Sequence, residues 1–288
     1  MMSSIAILAL VIGIVVVSVW LRVYHQAKGF EPDLGQNLPK TIWTYWDSEN
    51  LPLSIRYCMS TWQLHNKDHT IVLLTNRNVK FYLPDFELSS FRHADSSARV
   101  SDCIRLNILA KYGGIWMDAS IICNKPLAWV ETEMKGKEFL GYYMNSFTKN
   151  PKYPVIESWF FACVPGSHFV VEWKDTFMRL NDYSTVQDYV DALKGWGTDP
   201  QDIPESLQNY LAIHMAAQYV LQVRKYPTAN MVVLRCEDGP FKYLVDNEWN
   251  SEKAVRDVVE KHVNSNIIKL RGDDRKVFEK YLTASNQY

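Results

Sequence analysis

The segment SDCIRLNILAKYGGIWMDAS, residues 101–120, concentrates residues whose types and spacing suit chemistry. Asp102 and Arg105 stand three apart, so a helix through them carries both on one face. Gly113 and Gly114 end that helix and let either the chain reverse or a ligand approach the backbone. The apolar run 115–117 reads as a short strand, closed by Asp118. Open α/β sheets bind ligands at the carboxyl ends of their strands, so Asp102, Arg105 and Asp118 should converge on one edge. A carboxylate there can hold Mg²⁺ or Mn²⁺, hard ions that keep waters and take phosphate oxygens. A guanidinium can fork onto phosphate or sugar hydroxyls. A plainer reading stands beside this one: Asp102–Arg105 as a surface ion pair that contributes little, and Asp118 as a turn-capping acid.

The elements that would position these residues follow from periodicity. Residues 41–46 (TIWTYW) read as a strand, 54–65 as a helix, and 70–75 (TIVLLT) as a buried strand. Asp95 or Ser96 caps a helix running to Tyr112. Further strands are expected at 138–144, 159–164, 231–235 and 267–270, with helices near 168–181, 185–194, 205–224 and 252–263. Alternation of this length implies an α/β fold, a mostly parallel central sheet with helices on both faces.

Composition bounds the rest. The 288 residues are 47% apolar and 22% charged, which suits a globular chain rather than a disordered or coiled-coil one. A net charge of −1 gives no bulk attraction to nucleic acid. The five cysteines (58, 103, 123, 163 and 236) form no Cys-x-x-Cys pair and sit among apolar neighbours, which predicts buried, inert thiols. Residues 5–21 (IAILALVIGIVVVSVWL) are uncharged and just long enough for a membrane-spanning helix. The division expected is therefore a single-pass membrane anchor over 1–21, a stem over 22–38 and one domain over 39–288. Arg22, His25 and Lys28 follow the run and nothing basic precedes it, which favours a cytoplasmic domain. No Asn-x-Ser/Thr acceptor occurs, in keeping with that side; a Golgi-lumen placement is the alternative.

Three stretches together resemble a known family: IWTYWDSENLPLSIRYCMSTWQLHN, the Asp102–Arg105 helix, and YGGIWMDASIICNKPLAWV. They are similar to the capsular-polysaccharide-synthesis glycosyltransferases, relatives of the sugar-binding-region transferases that carry an Asp-x-Asp motif. The likeness is specific from about residue 39 to 129. It continues more weakly through ESWFFACVPGSHFVVEW, NYLAIHMAAQ and PFKYL.

That resemblance implies a single GT-A domain taking a nucleotide-diphospho-sugar, with UDP or GDP as the nucleotide, and passing the sugar to a glycan acceptor. It implies that Trp43 stacks on the base and that Asp102 and Arg105, matching Ser-Asp-x-x-Arg, contact donor sugar and ribose. Gly113 and Gly114 fall within the same donor-binding set. Asp118 matches the first acid of Asp-x-Asp, but the second is replaced, the chain reading Asp118-Ala119-Ser120. A Ser hydroxyl is a poor ligand for a hard ion, so Mn²⁺ or Mg²⁺ at Asp118 and Ser120 should be weakly held. The departing diphosphate gathers negative charge that a cation would neutralise. Glu157 and His214 are the candidates for the acceptor's general base. Their plainer readings are a strand-end acid and a satisfied core histidine, and a third-ligand role for His214 also stays open. A non-catalytic glycan-binding or scaffold protein on the same fold is the alternative function, suggested by the missing second acid. RGDD at 271–274 reads as a helix cap.

Overall fold

The computed structural model describes residues 37–285. The apolar run at 5–21 and the stem up to residue 36 lie outside the described residues. Among those described, no helix is long and apolar enough to cross a membrane.

Eight strands are described: β1 (Thr41–Tyr45), β2 (Thr70–Leu74), β3 (Gly114–Met117), β4 (Ile121–Cys123), β5 (Phe139–Tyr143), β6 (Ile156–Cys163), β7 (Met231–Arg235) and β8 (Ile267–Lys269). Six form the central sheet in the order β2-β1-β3-β6-β5-β7. β1 runs parallel to β2 and β3, and β5 parallel to β7, while β6 is antiparallel to both its neighbours. Five strands thus share one direction and β6 alone is reversed, so the sheet is mostly parallel, as expected. All eight residues of β6 are buried, and the apolar run after Glu157 and Ser158 carries no alternation from which its direction could be read.

Neighbouring side chains along a strand point to opposite faces. Trp43, Trp116, Phe139 and Phe161 join the core under α2 (Ser97–Tyr112), α4 (His168–Met178), α5 (Val186–Gly195) and α6 (Ala212–Gln222). Their neighbours Ile42, Ile115, Leu140 and Phe160 face the core under α1 (Leu53–His65), α3 (Ala128–Met134), α7 (Ser251–Val259) and α8 (Gly272–Ser285). Helices therefore cover both faces.

Three local expectations change. The stretch at 70–74 is an edge strand with only Leu74 buried, because nothing pairs beyond β2. The helix expected over 205–224 breaks into a turn at Glu205–Gln208 and α6. The strand expected at 267–270 leaves the main sheet and pairs antiparallel with β4, placing Lys269 opposite Ile121. That pairing matters for the site, because β4 begins one residue after Ser120. The cap at 271–274 is as expected: Asp274 accepts from the Arg271 backbone N–H at 2.9 Å, at the start of α8.

Candidate active site

Asp118 leaves the end of β3, where its backbone N–H extends the ladder to the Trp159 carbonyl at 2.8 Å. One carboxylate oxygen accepts from the Trp116 indole at 3.1 Å and lies 3.3 Å from the Arg105 guanidinium. Arg105 in turn lies 3.3 Å from Asp102, so the three residues meet as their spacing predicted. Arg105 is buried, stacks on the Trp116 ring at 5.1 Å, and donates to the carbonyl and hydroxyl of Ser158 at 2.7 and 2.8 Å and to Ser101. A guanidinium so fully used fixes the two acids in place. It is not the open fork onto a donor that the resemblance implied, which is a correction to its direct contact role.

The two acids differ electrically. Burial raises the Asp102 carboxyl to about 6, against the opposing pull of Arg105 and His214, with Asp118 adding to the rise. Burial acts the same way on Asp118, but Lys269 and Arg105 outweigh it and hold that carboxyl below the usual carboxylate range. Asp118 is therefore the permanent anion and Asp102 the titrating one.

Glu157, at the start of β6, and His214, on α6, are both buried, with His214 Nε2 3.4 Å from the carboxylate. The charge of His214 opposes the rise of the Asp102 carboxyl, so the pair lies within electrostatic reach of the three residues at β3. His214 Nδ1 is buried with no hydrogen-bond partner. Tyr210 is 68% exposed. Packing raises its phenol, and the charges of Asp102 and Asp118 raise it further, so the phenol lies within electrostatic reach of the acidic cluster.

Two expected donor contacts fail. Trp43 is 5% exposed, its ring packed against Tyr82 and Tyr112 and its N–H donated to the Gly113 carbonyl at 3.0 Å, so no face is open to a base. Gly113 and Gly114 lie at the opposite end of β3 from Asp118, because α2 runs back across the sheet before the strand returns. An added Cβ on Gly113 would meet Pro165 N at 2.5 Å, and one on Gly114 would meet the Thr41 carbonyl at 2.7 Å. Chain packing, not ligand approach, requires both glycines.

The residue that sequence reasoning missed is Lys269. Its ammonium lies 2.7 Å from Asp118 Oδ2 and 2.9 Å from Ser120 Oγ. Leu270 N–H bonds the Ser120 carbonyl at 3.0 Å, which locks β8 beside the Asp-Ala-Ser turn. No local signal marks this lysine, since 151 residues separate it from Asp118.

These contacts decide how well a divalent ion fits. Mg²⁺ and Mn²⁺ need hard anionic oxygens that are free to bind. Here the sole carboxylate and the hydroxyl expected as ligands already hold an ammonium, and the other carboxylate oxygen faces a guanidinium. Among the described residues, the one group of three ligand-type side chains drawn together is Asp257, Glu260 and His262, at the end of α7. The residues at Asp118 do not fit a resident metal.

Residues 23–193, more than half of the chain, match the family described as capsular polysaccharide synthesis protein. The chain belongs to that family. The matched span holds Asp102, Arg105, Asp118, Ser120 and Glu157, but stops before His214 and Lys269. A curated relative, inositol phosphoceramide mannosyltransferase 1 of Schizosaccharomyces pombe, is 26% identical over 136 residues, 42% of this chain. The match spans 41% of that protein's length. Among solved structures, the PaToxG glycosyltransferase aligns over 93% of this chain and 92% of its own at 14% identity, with a TM-score of 0.41. A glycosyltransferase involved in glycosylation of the major capsid of PBCV-1 aligns over 84% of this chain and 98% of its own at 10% identity, with a TM-score of 0.44. These structural likenesses are distant, and the family assignment rests on the sequence match.

Proposed function

We propose that this family member is a glycosyltransferase with a GT-A-type domain, moving a hexose from a nucleoside-diphosphate donor to a glycan hydroxyl. The observation that carries the reading is the Asp102–Arg105–Asp118 cluster at the carboxyl end of β3, lying within the family match. The mannosyl transfer in the name of the curated relative supports a hexose over a pentose.

Transfer breaks the bond from the anomeric carbon to the diphosphate and forms one to the acceptor oxygen, whose proton must leave. Positive charge grows on the sugar and negative charge on the departing diphosphate, and Asp118, ionised at neutral pH, holds the cationic groups beside it in place. Asp102 and Arg105 hold Asp118 in place. Glu157 and His214 are the groups available to receive the acceptor's proton, His214 with its Nδ1 uncommitted. Tyr210, exposed and within electrostatic reach of the acids, offers the acceptor an aromatic face. In this reading residues 5–21 anchor the domain to a membrane, with Arg22, His25 and Lys28 favouring the cytoplasmic side.

The test is release of nucleoside diphosphate from a panel of UDP- and GDP-sugars by the full-length protein, with and without added glycans. Release from at least one hexose donor, raised by an acceptor, is expected. No release and no donor binding across the panel would remove the reading.

A further inference from the structure

We propose that Lys269 is the cation of this site: its ammonium, held by Asp118 and Ser120, receives the donor's diphosphate where related enzymes place a divalent metal. The inference rests on the glycosyltransferase reading and adds to it the residue that neutralises the leaving group and the absence of a metal requirement.

The geometry is that of a preloaded ion. Asp118 and Ser120, the pair on which a metal would sit, instead take two of the three N–H donors of the ammonium, at 2.7 and 2.9 Å. The third remains for a phosphate oxygen. The side chain is 12% exposed and Asp118 24%, so the charge is largely buried yet still reached by solvent. Its backbone is fixed by the β4–β8 pairing, so no reorganisation is needed to aim it.

A lysine brings one charge where a divalent ion brings two, and the same chain segment supplies more. Arg275, on the first turn of α8, rests on the Trp46 ring at 5.2 Å, immediately after the end of β1. Burial raises the Cys58 thiol, and the charges of Lys269 and Arg275 both oppose that rise, so both cations lie within electrostatic reach of one buried group. Within the cluster, Arg105 and Lys269 balance Asp102 and Asp118. A diphosphate therefore meets an Asp118 already paired with two cations, rather than an unscreened carboxylate. As the anomeric bond breaks, the electron pair passes to the diphosphate oxygen, and the ammonium stabilises that charge without giving up its proton.

The experiment uses the full-length protein, with UDP and GDP binding by calorimetry and nucleotide release from UDP- and GDP-hexoses, each in excess EDTA and in excess Mn²⁺. Binding and release in wild type should agree within about twofold between the two conditions. Lys269→Met, which keeps the stem and removes the charge, should lower turnover roughly 10²–10³-fold and weaken nucleotide binding, while Lys269→Arg retains a larger share of both. Loss of wild-type nucleotide binding in EDTA, restored by Mn²⁺, would overturn the lysine assignment and leave the glycosyltransferase reading intact. Unchanged binding and turnover in Lys269→Met would also overturn it. Failure of both nucleotides to bind in both conditions would remove the underlying reading and this inference with it. Should Lys269→Met not fold, the comparison of EDTA and Mn²⁺ on wild type decides alone.

Discussion

At the amino end of β3 stand Gly113 and Gly114; at its carboxyl end, about 13 Å along the strand, stands Asp118. In sequence they form one compact motif, YGGIWMDAS, and the eye gives all of it to the ligand. In the structure the two ends have separate causes. The glycines exist because backbone crowds them: Gly113 holds a φ of 61° with Pro165 and Cys163 against it, and Gly114 a φ of 97° over Thr41. Asp118 exists among charges, with Arg105 on one oxygen and Lys269 on the other. A motif's residues can thus be required together while only one end of it touches chemistry. The contrast predicts that changes at the charged end alter turnover, and changes at the glycine end alter stability alone.

The largest effect should come from Arg105→Met. It leaves two acids without their buried partner, and breaking such a pair costs about 3–5 kcal/mol. Denaturant unfolding should show that loss, and whatever folded protein remains should be nearly inactive. A stable, active Arg105→Met would show that the guanidinium organises nothing.

Gly113→Ala should cost about 2–4 kcal/mol, from strain at positive φ and a Cβ forced against backbone. Turnover per folded molecule should match wild type. A changed donor KM in that variant would return the glycines to the ligand site and erase the contrast.

The third prediction concerns pH. Asp102 is raised to about 6 from 3.8, so the folded chain holds its proton more tightly than the unfolded one. Its contribution to stability therefore falls as pH rises from about 4 to 6 and recovers on acidification. Asp118, held low, acts in the opposite sense: its contribution is present above the ordinary carboxylate range and is lost as pH falls through its lowered value. Protonating Asp102 weakens its hold on Arg105, so kcat/KM should decline below about pH 6. That limb should vanish in Asp102→Asn; a limb unmoved there would assign the titration to another group.

The smallest effect belongs to the exposed Tyr210. Tyr210→Ala should change stability by no more than about 0.5 kcal/mol. It should raise the acceptor KM roughly three- to tenfold by removing an aromatic face, with the donor KM unchanged. A donor effect instead would place Tyr210 on the other substrate.

What was legible in the sequence was local. Asp102, Arg105 and Asp118 lie within one helix–turn–strand unit, where spacing of three and the end of an apolar run fix who faces whom. Glu157 and His214 were visible as isolated polar residues in apolar elements, and their approach to 3.4 Å needed β6 and α6 to pack. Trp43 was misread because alternation along β1 says only that neighbours face opposite ways, not which face is covered by Tyr82 and Tyr112. Lys269 was invisible for a different reason. A three-residue strand carries little pattern of its own, and its partner β4 was not foreseen, so nothing local could bring it across the chain to Asp118.

The most direct test of the account compares wild type with Asp118→Asn, a nearly isosteric change that removes the permanent anion. Both would be assayed for nucleoside diphosphate release on the same panel of UDP- and GDP-hexoses, alongside thermal unfolding. The account predicts turnover in wild type and a loss of at least about 10²-fold in the variant, which stays folded. Equal turnover in the two proteins would contradict it.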